Sequence, residues 1–175
     1  QAMLALIQYQ SSAEALQQIV FWSMGSLTRA NWAANGVLAA VLIIALPILW
    51  ALGWRLTALR LGDARATAMG INTSRLRVVV LIVVSLVAAT TVAFAGIIGF
   101  IGLVGPHIAR MLVGEDQRYF LPASMAAGAA VMCAAHAVSL MIKPGLAIPI
   151  GIVTSLLGVP FFIAIVMTRR RALWT

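Results

Sequence analysis

The sequence predicts an all-α fold, a polytopic integral membrane helical bundle, and three observations carry that expectation. Hydrophobic residues make up 63% of the 175 and charged residues 9%, with a mean hydropathy of +1.05; no water-facing surface is so poor in charge. Between consecutive charges the chain runs unbroken over residues 30–54, 78–109, 119–142 and 144–168, each long enough for the roughly 20 residues of a spanning helix. Membrane strands would be about half as long and would alternate polar with apolar, whereas Val78-Val79-Val80-Leu81-Ile82-Val83-Val84 shows no alternation.

The elements follow in chain order. Residues 1–13 form a shorter apolar stretch; the chain begins at Gln1 without a methionine and nothing resembles a signal peptide, so this stretch is expected to be a truncated helix at a cut within a larger sequence. Residues 14–32 are mixed, with Trp22 and Trp32 at headgroup-like positions, and read as an external loop with a short amphipathic helix. The first complete span covers 30–54. The next segment holds Arg55, Arg60, Arg65, Arg75 and Arg77, which the positive-inside rule places in the cytoplasm. Arg169, Arg170 and Arg171 put the C-terminus there too, and Arg110 and Arg118 bracket a third basic loop, leaving Arg29 and Lys143 outside, a division of ten to two.

Parity then requires residues 78–109 to turn back, because both ends are cytoplasmic. The expected turning point is Ala95-Gly96-Ile97-Ile98-Gly99, where glycine admits helix-breaking dihedrals. The returning arm, about 100–113, is short for a crossing and is expected to be tilted or partly irregular, which a bilayer tolerates where backbone faces protein or a water-lined cavity. Residues 119–142 lead outward, Lys143-Pro144-Gly145 turns, and 148–168 returns. One domain, residues 1–175, thus carries five crossings and a stub, with no internal repeat.

Several function classes are disfavoured. A net charge of +8 and a pI near 11.6 fit nucleic acid poorly, because the cations sit in loops beside spans and set orientation. The single Cys133, in mid-span, excludes an internal disulfide and a cysteine metal cage and reads as packing; no metal or directly bound cofactor is expected. There is no His-Glu-x-x-His, no Gly-x-Ser-x-Gly and no Walker-type loop, so the chain is not expected to be an enzyme and any ATP use belongs to a partner. The four acids, Glu14, Asp63, Glu115 and Asp116, all fall outside the spans, which disfavours a proton- or sodium-coupled secondary transporter.

Three patterns rise above generic membrane sequence. Residues 61–71 make a small-residue helix bounded by Gly62 and Gly70, either a lever for a soluble partner or a solvated connection. Gly96, Gly99, Gly102 and Gly105, followed by Pro106-His107, recur at spacing three and leave a bare groove for a substrate or for tight helix packing; His107 is a candidate lining residue or a simple interface cap beside Arg110. In residues 148–162, Pro149, Gly151, Gly158 and Pro160 mark a span whose helix is expected to be broken, as in helices that line transporter cavities. His136, deep in a span, reads as a neutral histidine bonded to a neighbouring helix.

At these motifs the sequence resembles the FecCD family of ABC permeases, importers of ferric siderophores, haem and vitamin B12. The resemblance spans essentially the whole chain and rests on Gly62-Asp63 with Ala66 and Met69-Gly70, on the run from Gly96 through Phe100 to Arg110, and on Pro149-Ile150-Gly151 with Gly158-Val159-Pro160-Phe161. It implies the C-terminal half of a ten-span inner membrane permease, starting near the end of the fifth span. It implies that Gly62, Asp63, Ala66, Met69 and Gly70 belong to a coupling helix that fits an ATP-binding cassette. It implies that a second permease half or subunit shares a translocation path lined from Gly96, Gly99, Phe100, Gly102, Gly105, Pro106, His107, Pro149, Gly151, Gly158 and Pro160, and that a soluble substrate-binding protein feeds it. Where many members carry an Asp, an Arg and a Glu, this chain has His136, Leu140 and Ala147, so docking of the binding protein is expected to shift to Lys143, with Arg29 second. A non-transporting scaffold is the remaining alternative.

Overall fold

The computed structural model describes residues 2–142 and 148–171, with the side chains of 164–166 and 168–171 excepted. Eight helices and no strand occur among the described residues: α1 (Ala2–Gln10), α2 (Ala13–Ser23), α3 (Trp32–Leu59), α4 (Asp63–Ala68), α5 (Thr73–Ala95), α6 (Ile101–Val113), α7 (Gln117–Ile142) and α8 (Ile150–Arg171). Of these, α3, α5 and α7 are long and apolar enough to cross a membrane, and α6 and the first part of α8 are shorter apolar helices. At 1.5 Å per residue the 13 residues of α6 span about 20 Å, less than the roughly 30 Å of a hydrocarbon core. A short apolar helix therefore occupies the residues where the returning arm is expected.

Local chemistry sets the helix starts. Ser12 caps α2, its hydroxyl accepting from the Ala15 N–H at 3.3 Å, and Asn31 caps α3 through Oδ1 and the Ala34 N–H at 2.8 Å; each satisfies one amide left without an intrahelical carbonyl. The apolar run from 78 to 109 is interrupted where expected, between Ala95 and Ile101. Gly96 takes φ +77° and Phe100 φ +66°, left-handed values that end one helix and precede the next.

Two compact units emerge. The first comprises the described residues of Gln1–Arg29, Ala95–Phe100 and Ala134–Thr175, and the second Ala30–Phe94 with Ile101–Cys133. α5 and α7 each contribute to both units. The most apolar stretch of α5 contains no buried residue, so Leu81, Ile82 and Leu86 need lipid or another chain to leave water.

Two expectations are corrected. The four glycines at spacing three do not form one continuous groove: Gly96 and Gly99 lie in the irregular segment and Gly102 and Gly105 in α6, because helical periodicity ends at Ala95 and restarts at Ile101. Residues 150–162 are not broken either; α8 runs continuously through Gly158 and Pro160. A proline inside a helix forfeits one backbone hydrogen bond and tends to kink rather than to end a helix held by its flanks. Lys143, Pro144, Gly145 and Ala147, and with them the first docking candidate and the external turn, lie outside the described residues.

Candidate functional site

Within the first unit three irregular segments meet backbone to backbone. The Ser26 N–H donates to the Ala95 carbonyl at 2.8 Å, the Ile150 N–H to the Gly25 carbonyl at 3.2 Å and the Gly151 N–H to the Met24 carbonyl at 3.0 Å. The last two are first-turn amides of α8, which its own helix cannot satisfy. Such closeness requires missing side chains. A Cβ on Gly151 would meet the Met24 carbonyl, one on Gly96 the Trp22 carbonyl, and one on Gly25 the Ile98 side chain and the Ile97 carbonyl. Pro149 is the residue just before α8, where its missing N–H costs nothing, and its carbonyl accepts from Ile152 at 3.1 Å.

Two side chains extend this junction. The Phe100 ring occupies the space a Cβ would need at Gly158, so the left-handed Phe100 is a knob seated in a glycine hole on α8. Ser139, 1% exposed, donates its hydroxyl to the Ile148 carbonyl, and Thr154 donates to the Gly151 carbonyl at 3.2 Å. Beside the junction a cleft of about 580 Å³ is lined by Ser23, Ile97, Gly99, Gly151, Ser155 and Leu156. Gly99 faces Ser155 Oγ at ordinary contact distance, so this wall is largely apolar with two hydroxyls.

The remaining path candidates are dispersed. In the second unit Gly105 lies against Gly128, its would-be Cβ 3.0 Å from the Gly128 Cα and 3.2 Å from the Ser124 carbonyl; here glycine serves close packing of α6 on α7. Gly102 has open space around it. Pro106 and His107 are half-buried on α6, Pro160 is exposed on α8, and His136 is half-buried on α7.

The second unit also holds the short helix α4. Gly62 (φ +96°) precedes it and Gly70 (φ +80°) follows it. At its end the Gly70 N–H donates to the Thr67 carbonyl at 2.9 Å and the Ile71 N–H to the Ala66 carbonyl at 3.1 Å, the paired bonds of a Schellman stop, which needs a left-handed residue at Gly70. The accompanying apolar contact is present: Ala66, fully buried, clusters with Ala58, Ile71 and Leu76, backed by Leu52, Leu56, Leu59 and Val80. Asp63, in the first turn where the macrodipole favours an anion, receives Arg77 at 2.7 Å. One alanine docks α4 against α3, while Asp63, Ala64, Arg65, Thr67, Ala68 and Met69 stay exposed.

Next to α4, the α6–α7 loop is tied to the end of α3. Arg60 pairs with the Glu115 carboxylate and donates to its backbone carbonyl at 3.1 Å, and Arg110 approaches the same carboxylate at 3.4 Å. The Gln117 N–H donates to Thr57 Oγ1 at 3.1 Å, and Asp116 Oδ1 accepts from the Arg118 N–H at 3.0 Å at the start of α7. In the first unit, Arg29 donates to the Phe21 and Trp22 carbonyls at 3.4 and 3.5 Å, near the end of α2, and borders a cleft of about 800 Å³ with Glu14, Gln17 and Gln18. It is exposed but already engaged.

Sequence reasoning missed Gly25, Ser139 and Gly128. Gly25 sits in a mixed segment where a glycine signals only a turn, and Ser139 is a lone hydroxyl in an apolar run, the faint signal available for it. Glu115 and Asp116 were visible only as acids outside the spans.

The chain is similar over nearly its whole length to known permeases. It is 36% identical over 170 residues to the hemin transport system permease protein HmuU of Yersinia pestis, covering 97% of this chain and 51% of that protein. It is 40% identical over 152 residues to the Fe(3+)-citrate import system permease protein YfmE of Bacillus subtilis, covering 87% and 46%. Other relatives are named as import permeases for cobalamin and for molybdate. A solved structure described as an inward-facing conformation of an ABC transporter of metal-chelate type superposes with a TM-score of 0.90 at 37% identity, covering 95% of this chain and 54% of that one. The chain spans about half the length of the curated relatives it matches. The sequence pattern of the FecCD transport family matches residues 1–168, and with its membrane-length apolar helices the chain is a multi-pass membrane protein that belongs to that family.

Proposed function

We propose that the chain is part of the permease subunit of an ATP-driven ABC importer that moves an iron-siderophore, or a related chelate or cofactor such as haem or cobalamin, across the inner (plasma) membrane, with its C-terminus cytoplasmic. The observation that carries this reading is α4: a six-residue helix held between two left-handed glycines, docked through Ala66 alone and exposing a small-residue face. That is the form of a lever that a soluble partner can grip, and the relatives are named as permeases of import systems.

In this reading Gly62, Asp63, Ala66, Met69 and Gly70 make the coupling helix, and separate ATP-binding cassette subunits bind and hydrolyse the nucleotide. Gly96, Gly99, Phe100, Gly102, Gly105, Pro106, His107, Pro149, Gly151, Gly158 and Pro160 belong to the translocation path. A second permease half or subunit completes the path, and a soluble substrate-binding protein docks outside, through Lys143 with Arg29 second. Cassette closure drags α4, Asp63–Arg77 passes the pull to the start of α5, and access alternates between the two sides.

The test is ATPase activity and uptake by the full-length permease reconstituted with its cassette, with and without binding protein, comparing wild type with Gly62→Trp. A Cβ at Gly62 meets nothing within 4 Å, but φ +96° there strains any side chain, so the variant's thermal midpoint is measured first; a folded variant is expected to lose both stimulation and uptake. Unchanged activity, or no association with a cassette, would favour an ion-coupled transporter or a scaffold. Uptake of ferric siderophore, haemin and cobalamin in parallel decides the cargo.

A further inference from the structure

The arginines between the end of α3 and the first turns of α5 differ in their partners. Arg60 is committed to Glu115 and Arg77 to Asp63, and Arg65 is exposed on α4. Arg55 and Arg75 have no carboxylate partner among the described residues. They line one cleft of about 500 Å³ together with Trp54, Asn72, Leu52 and Val79, a volume within the roughly 300–1,000 Å³ of small-ligand sites. No acidic residue lines it. Arg55 also stacks over the Trp54 ring, 5.6 Å from its centroid, which holds the guanidinium at an aromatic of the kind that marks a membrane interface.

The walls of this cleft lead into the spans. Leu52 lies one turn before Arg55 on α3, and Val79 lies one turn after Arg75 on α5. By the same three-to-four spacing the two faces continue to Ile48 and Ile82, which are 37% and 64% exposed. Two unneutralised arginines at the mouth and an apolar track beyond match a ligand with an anionic head and a hydrocarbon tail.

We propose that this cleft binds an anionic phospholipid, its phosphate between Arg55 and Arg75 and its acyl chain along Leu52 and Val79. An acidic protein surface would satisfy the arginines but would leave the track over Ile48 and Ile82 without an occupant. The proposal rests on the membrane placement of the chain and not on ATP coupling. Because Gly70 and Ile71 also line the cleft, a bound headgroup touches the foot of α4.

The test is native mass spectrometry of the full-length permease titrated with phosphatidylglycerol, with phosphatidylcholine of the same acyl chains, and with glycerol 1-phosphate. Phosphatidylglycerol is expected to bind the wild type, and to bind Arg55→Gln/Arg75→Gln about thirtyfold more weakly, the loss expected for two interfacial basic groups. Arg55→Lys/Arg75→Lys keeps most of the binding, and Arg65→Gln, which removes an arginine outside the cleft, keeps all of it. Equal binding of both lipids to the wild type overturns the site without recourse to any variant. So does an unchanged double variant, an equal loss in Arg65→Gln, or equal binding of glycerol 1-phosphate, which would mean a free-anion site. Loss of cassette association in the double variant with lipid binding intact would assign the arginines to an acidic protein surface instead. Cassette-stimulated ATPase, measured alongside, separates the two proposals: its absence with lipid binding intact defeats the importer and leaves the lipid site standing.

Discussion

Glycine performs opposite tasks at the junction of the first unit and around α4 of the second. At the junction of the first unit, a Cβ on Gly25, Gly96, Gly151 or Gly158 would run into backbone or an aromatic ring; around α4 in the second, a Cβ on Gly62 or Gly70 meets nothing within 4 Å. The junction uses glycine for space, and α4 uses it for a left-handed dihedral. A region whose glycines are crowded cannot shift without losing hydrogen bonds from the start of α8. One whose glycines are open is held by the small cluster around Ala66 and Ile71, the Asp63–Arg77 pair and two turns, and its surroundings leave room to move. In the function proposed above, the junction is the fixed element beside the path and α4 the one that a partner moves.

The largest expected effect tests the crowded side. Gly151→Val puts a branched side chain where the Met24 and Ile97 carbonyls lie and removes the two backbone bonds that start α8. Overpacking of this kind costs about 3 kcal/mol or more when backbone must move. The expected outcome is a full-length permease with a sharply lowered thermal midpoint and poor monodispersity in detergent. A midpoint equal to the wild type would mean that the three segments do not touch as described. Gly96→Ala should be nearly as harmful, since a left-handed φ adds strain to the clash.

Next comes Ser139→Ala, which leaves the half-buried Ile148 carbonyl without its donor. A fully buried acceptor left unsatisfied costs about 1–3 kcal/mol, so at this half-buried site a loss toward the lower end should appear in the same thermal midpoint. Ser139→Thr, which keeps a hydroxyl, should recover part of it; no recovery would assign the loss to packing rather than to the hydrogen bond.

How far each region could be read from sequence follows the same divide. The stop at Ala95 was legible because charge parity demanded a turn and Gly96 and Gly99 offered one; α4 was legible because Gly62 and Gly70 bracket it. The crowding was not. Gly25 finds its partners in segments far away along the chain, and nothing local marks that meeting. The triplet spacing from Gly96 to Gly105 suggested one groove because periodicity was extended across a helix end. The prolines after Ile148 suggested a broken span because a sequence shows the missing N–H at Pro160 but not the neighbours that hold α8 together. The charges suggested an orientation, whereas the pairing of Arg60 with Glu115 and of Arg77 with Asp63, and the lack of a carboxylate partner for Arg55 and Arg75 among the described residues, required the fold.

The open side gives a smaller effect. Gly70→Ala meets no atom, so its cost is the left-handed strain alone, about 1–2 kcal/mol, and the permease should remain folded. If Gly70→Ala lowered the thermal midpoint as far as Gly151→Val, the division between crowded and open glycines would fail. If it left stability nearly unchanged but reduced cassette-stimulated ATPase, the dihedral itself would be implicated in the lever.

The smallest effect belongs to Glu115→Gln. The Arg60–Glu115 and Arg110–Glu115 pairs are 42–47% exposed, and exposed pairs contribute about 0–1 kcal/mol. The loop also keeps two ties that carry no carboxylate, the Arg60 bond to the Glu115 backbone carbonyl and the Gln117 bond to Thr57. The variant should therefore lose less than about 1 kcal/mol at low salt. The difference should fade as ionic strength rises above about 0.1 M, where the screening length falls below about 10 Å. The Gly151→Val loss, being steric, should persist at every ionic strength. A salt-insensitive loss at Glu115 would mean that its carboxylate acts as a buried structural acceptor, and the α6–α7 loop would then belong with the rigid junction rather than with the lever.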